Sequence, residues 1–145
     1  DFSLNQNGLR LPDLHAIELA QMLEPLGLKY QVLIVSACFS GGFIPYLDNE
    51  NTTVITASRR DRTSFGCADE NDMTDFGRAL LVDNLGKADT LGDAFNVAVE
   101  RITESEAEQG ITPASEPQMN SAEAVNAQFR RWREQSSTMT AIRQD

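Results

Sequence analysis

The residues of this sequence best suited to nucleophilic chemistry are its two cysteines, Cys38 and Cys67. Cys38 directly follows the mainly aliphatic run Gln31–Ala37 and precedes a Phe-Ser-Gly-Gly turn. A thiolate at the end of a strand is a strong nucleophile, and backbone N–H groups in such a turn can stabilise a developing oxyanion. Cysteine is also one of the most frequently buried residue types, so packing in the core is the alternative. From the residues alone, both interpretations of Cys38 stay open.

The elements around Cys38 predict an α/β domain. The run Gln31–Ala37 has no polar alternation, which is typical of a strand buried on both faces in a parallel sheet. Residues 51–58 predict a second strand, and residues 104–120 predict a polar loop. Helical spacing and capping residues predict helices at 11–27, 73–86, 90–102 and 121–143. In open α/β sheets, ligands bind at the carboxyl ends of the strands, where we expect Cys38.

Length and charge narrow the function class. The 145 residues suit one domain, which we assign to residues 1–145. The net charge of −10 argues against a nucleic-acid partner, which needs a basic face. No apolar run approaches the roughly 20 residues that cross a bilayer. Because two strands are too few for an independent sheet, and the chain starts at Asp1 rather than Met, we expect a domain that is incomplete at its N-terminus.

Two stretches carry a resemblance to a known family. SACFSGGFIPYL and TTVITASRRDRTSFGCADENDMTDFGRAL resemble the C13 peptidases, the legumain-like cysteine peptidases, and within them the bacterial branch. The resemblance implies the caspase–haemoglobinase fold, a three-layer α/β sandwich with a mainly parallel sheet. It also implies hydrolysis of peptide bonds in a peptide or protein substrate, without a cofactor or metal. Bacterial relatives are often exported, so an exported or periplasmic location is implied as well.

The resemblance also assigns roles to particular residues. Cys38 occupies the position of the family's nucleophile, in a small-residue-Ala-Cys-x-Ser-Gly motif. The residues implied to contact the substrate are Ser36, Phe39, Thr63, Ser64 and Arg78. Asparagine-specific relatives carry acidic residues at the positions of Phe39 and Arg78. We therefore do not expect asparagine specificity here.

The general base is the main departure from the family pattern. The family uses a histidine in a His-Gly pair at the end of the preceding strand, whereas the one histidine of this chain, His15, is followed by Ala16 and is predicted to lie inside a helix. We therefore expect the base upstream of Asp1, and little activity from the chain as given. The alternative is a non-catalytic peptide- or protein-binding domain on the same fold. A nucleotide or flavin domain is disfavoured, because SACFSGGF matches neither Gly-x-Gly-x-x-Gly nor Gly-Lys-Ser/Thr.

Two weaker signals receive structural interpretations. The acidic residues Asp69, Glu70, Asp72 and Asp75 supply oxygen ligands but lack the central glycine and closing glutamate of an EF-hand loop. Acidic residues at the start of a helix favour its dipole, so we predict no metal site there. Cys67 is expected to be a free, structural thiol in a loop.

Overall fold

The structure is a computed structural model that describes residues 5–6, 9–10, 12–66 and 72–142. The strands are β1 (Asn5–Gln6), β2 (Leu9–Arg10), β3 (Gln31–Val35), β4 (Thr52–Thr56) and β5 (Gln118–Asn120). The helices are α1 (Ala16–Leu23), α2 (Ile44–Leu47), α3 (Asp75–Gly77), α4 (Leu91–Glu108) and α5 (Glu123–Ile142). Short 3₁₀ turns cover Glu24–Leu26 and Ser40–Phe43, and α3 continues as a π-helix over Arg78–Asn84.

The main sheet has the strand order β3-β4-β5. β3 and β4 pair in parallel, from Gln31 opposite Thr52 to Val35 opposite Thr56. β5 pairs antiparallel with β4, while β1 and β2 form a separate two-stranded pair. The predicted α/β class is thus observed, with one parallel and one antiparallel pairing in the described sheet.

Two apolar cores lie on opposite faces of this sheet, because successive side chains of a strand point to opposite faces. Val54 of β4 packs with the α1–α2 side, in a cluster completed by Val35, Phe43 and Leu47. Ile55 packs with the other side, whose buried members are Ala57, Phe76, Ala79, Leu80, Ala94, Ala98 and Ile102. The described residues therefore form three layers, with β4 fully buried in the middle one.

The start of α1 differs from the prediction. The helix begins at Ala16, and His15 is its N-cap with extended backbone (φ −79°, ψ 149°) rather than a residue inside the helix. The backbone N–H of His15 donates to Glu18 Oε2 at 2.9 Å, which is the helix-start half of a capping box and fixes the boundary there. Gly27 ends the following 3₁₀ turn with φ 57°, as predicted from its freedom to adopt left-handed backbone.

β3 is shorter and more exposed than predicted. It ends at Val35, and Val32 is 40% exposed, so the expectation of burial on both faces is wrong for the described residues. Within the described part of the chain no strand pairs with its second edge. Just beyond the strand, the Ser36 hydroxyl is 2.6 Å from the Thr74 hydroxyl, and the Ala37 carbonyl accepts the Ser58 hydroxyl.

The predicted loop at 104–120 is partly wrong. α4 continues to Glu108 because Ile102 and Glu106 are buried, and the Glu106 carboxylate accepts the Ser115 backbone N–H at 2.9 Å. β5 was not predicted, since a three-residue Gln-Met-Asn segment carries little strand signal and its pairing depends on β4. No helix in the described residues is both long and apolar enough to span a bilayer.

Candidate active site

Cys38 lies in a sharp turn just beyond the carboxyl end of β3. The next residue, Phe39, has left-handed backbone (φ 59°, ψ 16°), and the 3₁₀ turn Ser40–Phe43 follows at once. Bulky residues seldom adopt this conformation, and such backbone strain is concentrated at functional sites. The turn leaves Cys38 half-buried rather than enclosed in the core.

Three polar groups of Ser64 contact the Cys38 thiol. The Ser64 backbone N–H donates to Cys38 Sγ at 3.3 Å, and the Ser64 hydroxyl lies 3.7 Å from the same sulfur. The thiol in turn donates to the Ser64 carbonyl oxygen at 3.4 Å. The sulfur therefore lies among polar groups of Ser64 rather than against aliphatic carbons alone. Ser64 itself is buried, at 7% exposure.

The backbone N–H groups of the turn differ in whether they donate a hydrogen bond. The four amides after Cys38 all donate hydrogen bonds: Phe39 to the Arg62 carbonyl, Ser40 to Ser58 Oγ, Gly41 to the Ser58 carbonyl and Gly42 to the Phe39 carbonyl. Within the residues that the structure describes, the Cys38 N–H donates none. An oxyanion hole needs backbone N–H groups that have no other acceptor, and among the described residues the Cys38 N–H meets that condition.

Gly41 allows the turn to lie against the segment that follows β4. A Cβ atom at this position would come within 2.7 Å of the Arg60 backbone nitrogen and 2.9 Å of the Ser58 carbonyl oxygen. Both contacts are with backbone, which cannot move aside cheaply. The glycine in the motif therefore has a steric reason, namely close approach of two chain segments.

The structure brings some of the predicted substrate-binding residues to Cys38 and leaves others apart. Phe39 follows Cys38 and is 52% exposed, and Thr63 is exposed beside Ser64. The Ser36 hydroxyl is 2.6 Å from the hydroxyl of Thr74, the N-cap of α3, so it ties the strand end to that helix. Arg78 is exposed on the π-helix, and no contact joins it to Cys38 among the described residues.

His15 lies nearer to the site than its sequence position suggested. It lines a groove with Ile17, Phe39 and Tyr46, together with the backbone of the turn. Each hydrogen bond of the Cys38 sulfur in the described part of the chain is nevertheless made with Ser64. The structure therefore supplies no imidazole or carboxylate partner to this thiol from the described residues.

An ion-pair network flanks the turn and was not predicted from the sequence. Arg59 pairs with Asp61 and Glu116, and Arg62 pairs with Asp61 at 3.0 Å. The hydrogen bond from Arg59, supported by the charges of Arg59 and Arg62, lowers the pKa of Asp61 to about 2. Asp61 and Glu116 in turn raise the pKa of Arg59 above its ordinary value. Because the Arg62 carbonyl accepts the Phe39 N–H, this network is attached directly to the turn.

The family model for the peptidase C13 family matches residues 4–127. The chain belongs to the peptidase C13 family. Membership supports a cysteine peptidase function with peptide or protein substrates, and it assigns this C13 domain to the caspase–haemoglobinase fold. Comparison with the curated proteins finds no match.

Several residues weighed from the sequence fall outside the described part of this C13 domain. Cys67, Asp69 and Glu70 are among them, so the predictions for the second thiol and for the acidic loop stay predictions. Asp75, which is described, begins α3 beside Gly66. In the ranges that the structure describes, no three His, Cys, Asp or Glu residues form a group that could hold a metal.

Proposed function

We propose that this chain carries the nucleophile of a cysteine endopeptidase, and that Cys38 is that nucleophile. The observation that supports this most directly is that Cys38 combines an accessible thiol with a backbone N–H that has no acceptor among the described residues. Such a pair can attack a peptide carbonyl and hold the resulting oxyanion. A cysteine kept only for packing needs neither feature.

The reaction would be acyl transfer. A base takes the thiol proton, and the sulfur attacks the carbonyl carbon of the scissile peptide bond. The oxyanion is held by the Cys38 N–H, the protonated base gives its proton to the leaving amine, and a thioester remains on Cys38. Water then attacks the thioester, releases the acid and restores the thiol.

The base is proposed to be a histidine upstream of Asp1, carried by a strand that pairs with the open edge of β3. This edge runs toward Cys38, and parallel strands deliver their carboxyl ends to the same side of a sheet. A histidine at the end of such a strand would meet the thiol from the side opposite β4.

The substrate is proposed to contact the exposed residues around this turn. Phe39, next to Cys38 in the chain, and Thr63, next to Ser64, are both exposed, and Ser64 itself contacts the thiol. Ser36 and Arg78 complete the proposed set; Arg78 requires that the substrate extend toward the π-helix. With Phe39 and Arg78 in place of acidic residues, this surface would not select asparagine.

Peptide hydrolysis tests the proposal. The chain, and the same chain extended by the upstream coding sequence, are incubated with a peptide library, and the products are identified by mass spectrometry. We expect cleavage by the extended chain, loss of cleavage in Cys38→Ala, and retention in the matched control Cys67→Ala. The 145-residue chain should be about 10²–10⁴-fold slower, since that is the usual contribution of a general base.

Three outcomes would contradict parts of the proposal. Cleavage that survives Cys38→Ala would remove the nucleophile assignment. Activity of the 145-residue chain that disappears in His15→Ala would place the base on α1 instead. An extended chain that folds, contains a His-Gly strand and binds peptides without cleaving them would favour a non-catalytic binding domain.

A further inference from the structure

Ser58, which follows β4, contacts the chain on both sides of Cys38. Its hydroxyl donates to the Ala37 carbonyl oxygen at 3.2 Å and accepts the Ser40 N–H at 3.2 Å. Its carbonyl oxygen accepts the Gly41 N–H at 2.8 Å. Ser58 is completely buried, yet it is neither in the motif around Cys38 nor in contact with the sulfur.

The contacts between Ser58 and Ser40 are reciprocal. The Ser58 N–H donates to Ser40 Oγ at 3.1 Å, and the two hydroxyl oxygens are 3.3 Å apart. Because the single hydroxyl proton of Ser58 is used on Ala37, Ser40 must be the donor between the two hydroxyls. Each polar group of the pair then has a partner, which is what a buried network needs to be rigid.

The Ser58–Ser40 pair lies just beyond the point where the β3–β4 pairing ends. The last backbone hydrogen bond of the regular β3–β4 ladder runs from the Ala57 N–H to the Val35 carbonyl. Beyond it, Ser58 continues the connection through its side chain, by bonding to Ala37 and Ser40. Cys38 and Phe39 lie between Ala37 and Ser40. Because Ser58 holds both of these flanking residues, it restricts the backbone conformation of the two residues between them.

We propose that Ser58, with Ser40, is a positioning residue for the nucleophile. It fixes the Ala37 carbonyl and the Ser40 amide, so that the Cys38 N–H is the amide of the turn left for the oxyanion. This inference rests on the proposed function, because it takes Cys38 as the nucleophile. It states that Ser58 sets the position of the Cys38 N–H, the oxyanion donor, more than it changes the reactivity of the thiol.

Two reagents measure the reactivity of the thiol and the effect of the oxyanion donor separately, and both can be used on the 145-residue chain. Iodoacetamide alkylates the thiolate by displacement of iodide, a step that forms no oxyanion. p-Nitrophenyl acetate is attacked at its carbonyl carbon, passes through an oxyanion, loses p-nitrophenolate and leaves an acetyl thioester on Cys38. The leaving group departs without a proton, so the general base is not needed. The ratio of acetylation to alkylation rates therefore reports the oxyanion donor.

The rates are measured in a Cys67→Ala background across pH 6–9 for Ser58→Ala, Ser40→Ala and the double variant. We expect the acetylation rate to fall by about tenfold to hundredfold, since a misplacement of ~1 Å can cost about 10²-fold. Alkylation should change much less, and the double variant should be no worse than Ser58→Ala, because both changes disrupt one network. The control is Thr53→Val, which removes a buried hydroxyl that accepts the Ala122 N–H elsewhere on β4. It should lower stability without changing the ratio.

An unchanged ratio in Ser58→Ala and Ser40→Ala, or an equal change in Thr53→Val, would overturn the inference and leave Ser58 a structural residue. If Ser58→Ala does not fold by circular dichroism, Ser40→Ala alone decides by the same criterion. Acetylation that persists in Cys38→Ala would refute the nucleophile assignment, and the positioning role with it. A fall in the ratio confined to the two serine variants supports both.

Discussion

Replacing Gly41 by alanine is expected to destabilise the whole domain. The added Cβ would lie 2.7 Å from the Arg60 nitrogen, about 0.7 Å inside the 3.4 Å at which ordinary contact begins. The contact on the other side is the Ser58 carbonyl at 2.9 Å, which accepts the Gly41 N–H. Relief of the overlap must therefore stretch this hydrogen bond.

The size of the effect follows from opposing terms. Overpacking typically costs about 1–3 kcal/mol, and a weakened hydrogen bond about 0.5–1.5 kcal/mol. Replacing glycine stabilises by about 0.4–1 kcal/mol through the unfolded chain. The free energy of unfolding should fall by about 1–3 kcal/mol, which lowers Tm by roughly 3–10 °C for a domain of this size.

Gly42 is the matched control, because it lies in the same turn and its nearest neighbour to an added Cβ is the Arg60 Cβ at 4.0 Å. Both alanine variants are compared with wild type by urea unfolding and thermal circular dichroism. Gly42→Ala should stay within about 1 kcal/mol of wild type. Equal stability of the Gly41 and Gly42 variants would refute the steric reasoning. So would an unchanged acetylation rate in Gly41→Ala, since the same shift should displace the oxyanion donor.

Two further predictions concern charge and the core. The pKa of Asp61 is lowered from 3.8 to about 2, so its ion pairs stabilise the folded chain above pH ~4, and this contribution is lost as the pH falls toward 2. In urea titrations Asp61→Asn should therefore lose less stability than wild type over that interval, more clearly at low salt; parallel curves would contradict it. Phe76 is 2% exposed on α3, and Phe76→Ala should lower the free energy of unfolding by about 3–5 kcal/mol. Val82→Ala, at a site 58% exposed on the adjoining π-helix, should cost less than about 1 kcal/mol, and similar urea midpoints for the two variants would refute this assignment of the core.

The sequence predicted those elements whose signal is local. The β-branched run of β4 and the threonine cap of α4 both appear where they were expected, because β-branched runs and cap residues act over a few positions. β5 could not be found in this way, since Gln118–Asn120 becomes a strand through pairing with a segment far away in the chain. The exposure of Val32 could not be predicted either, because it depends on which elements pack against β3, and an apolar run does not specify them.

In the candidate site, too, the residues with a local sequence signal could be predicted, and those that depend on distant partners could not. Cys38 and its glycines could be proposed as a site from residue types and order alone, and the structure places them together in one turn. Ser58 could not, as a serine at the end of a strand resembles any turn residue until its partners are known. The ion pairs of Glu116 were equally hidden, because they join two loops that are distant in sequence.

The parallel pairing of β3 with β4 has a consequence for folding order. Cys38, Ser58 and Ser64 all lie in the segment from Gln31 to Ser64, so the contacts that shape the turn join residues at most 26 positions apart. β5 closes the opposite edge of β4 from a much later part of the chain, and such non-local pairings form slowly. During synthesis this segment leaves the ribosome before β5 and α5 have been made, because the chain emerges from its N-terminal end. The turn around Cys38 can therefore become native-like while the far edge of the sheet is still open.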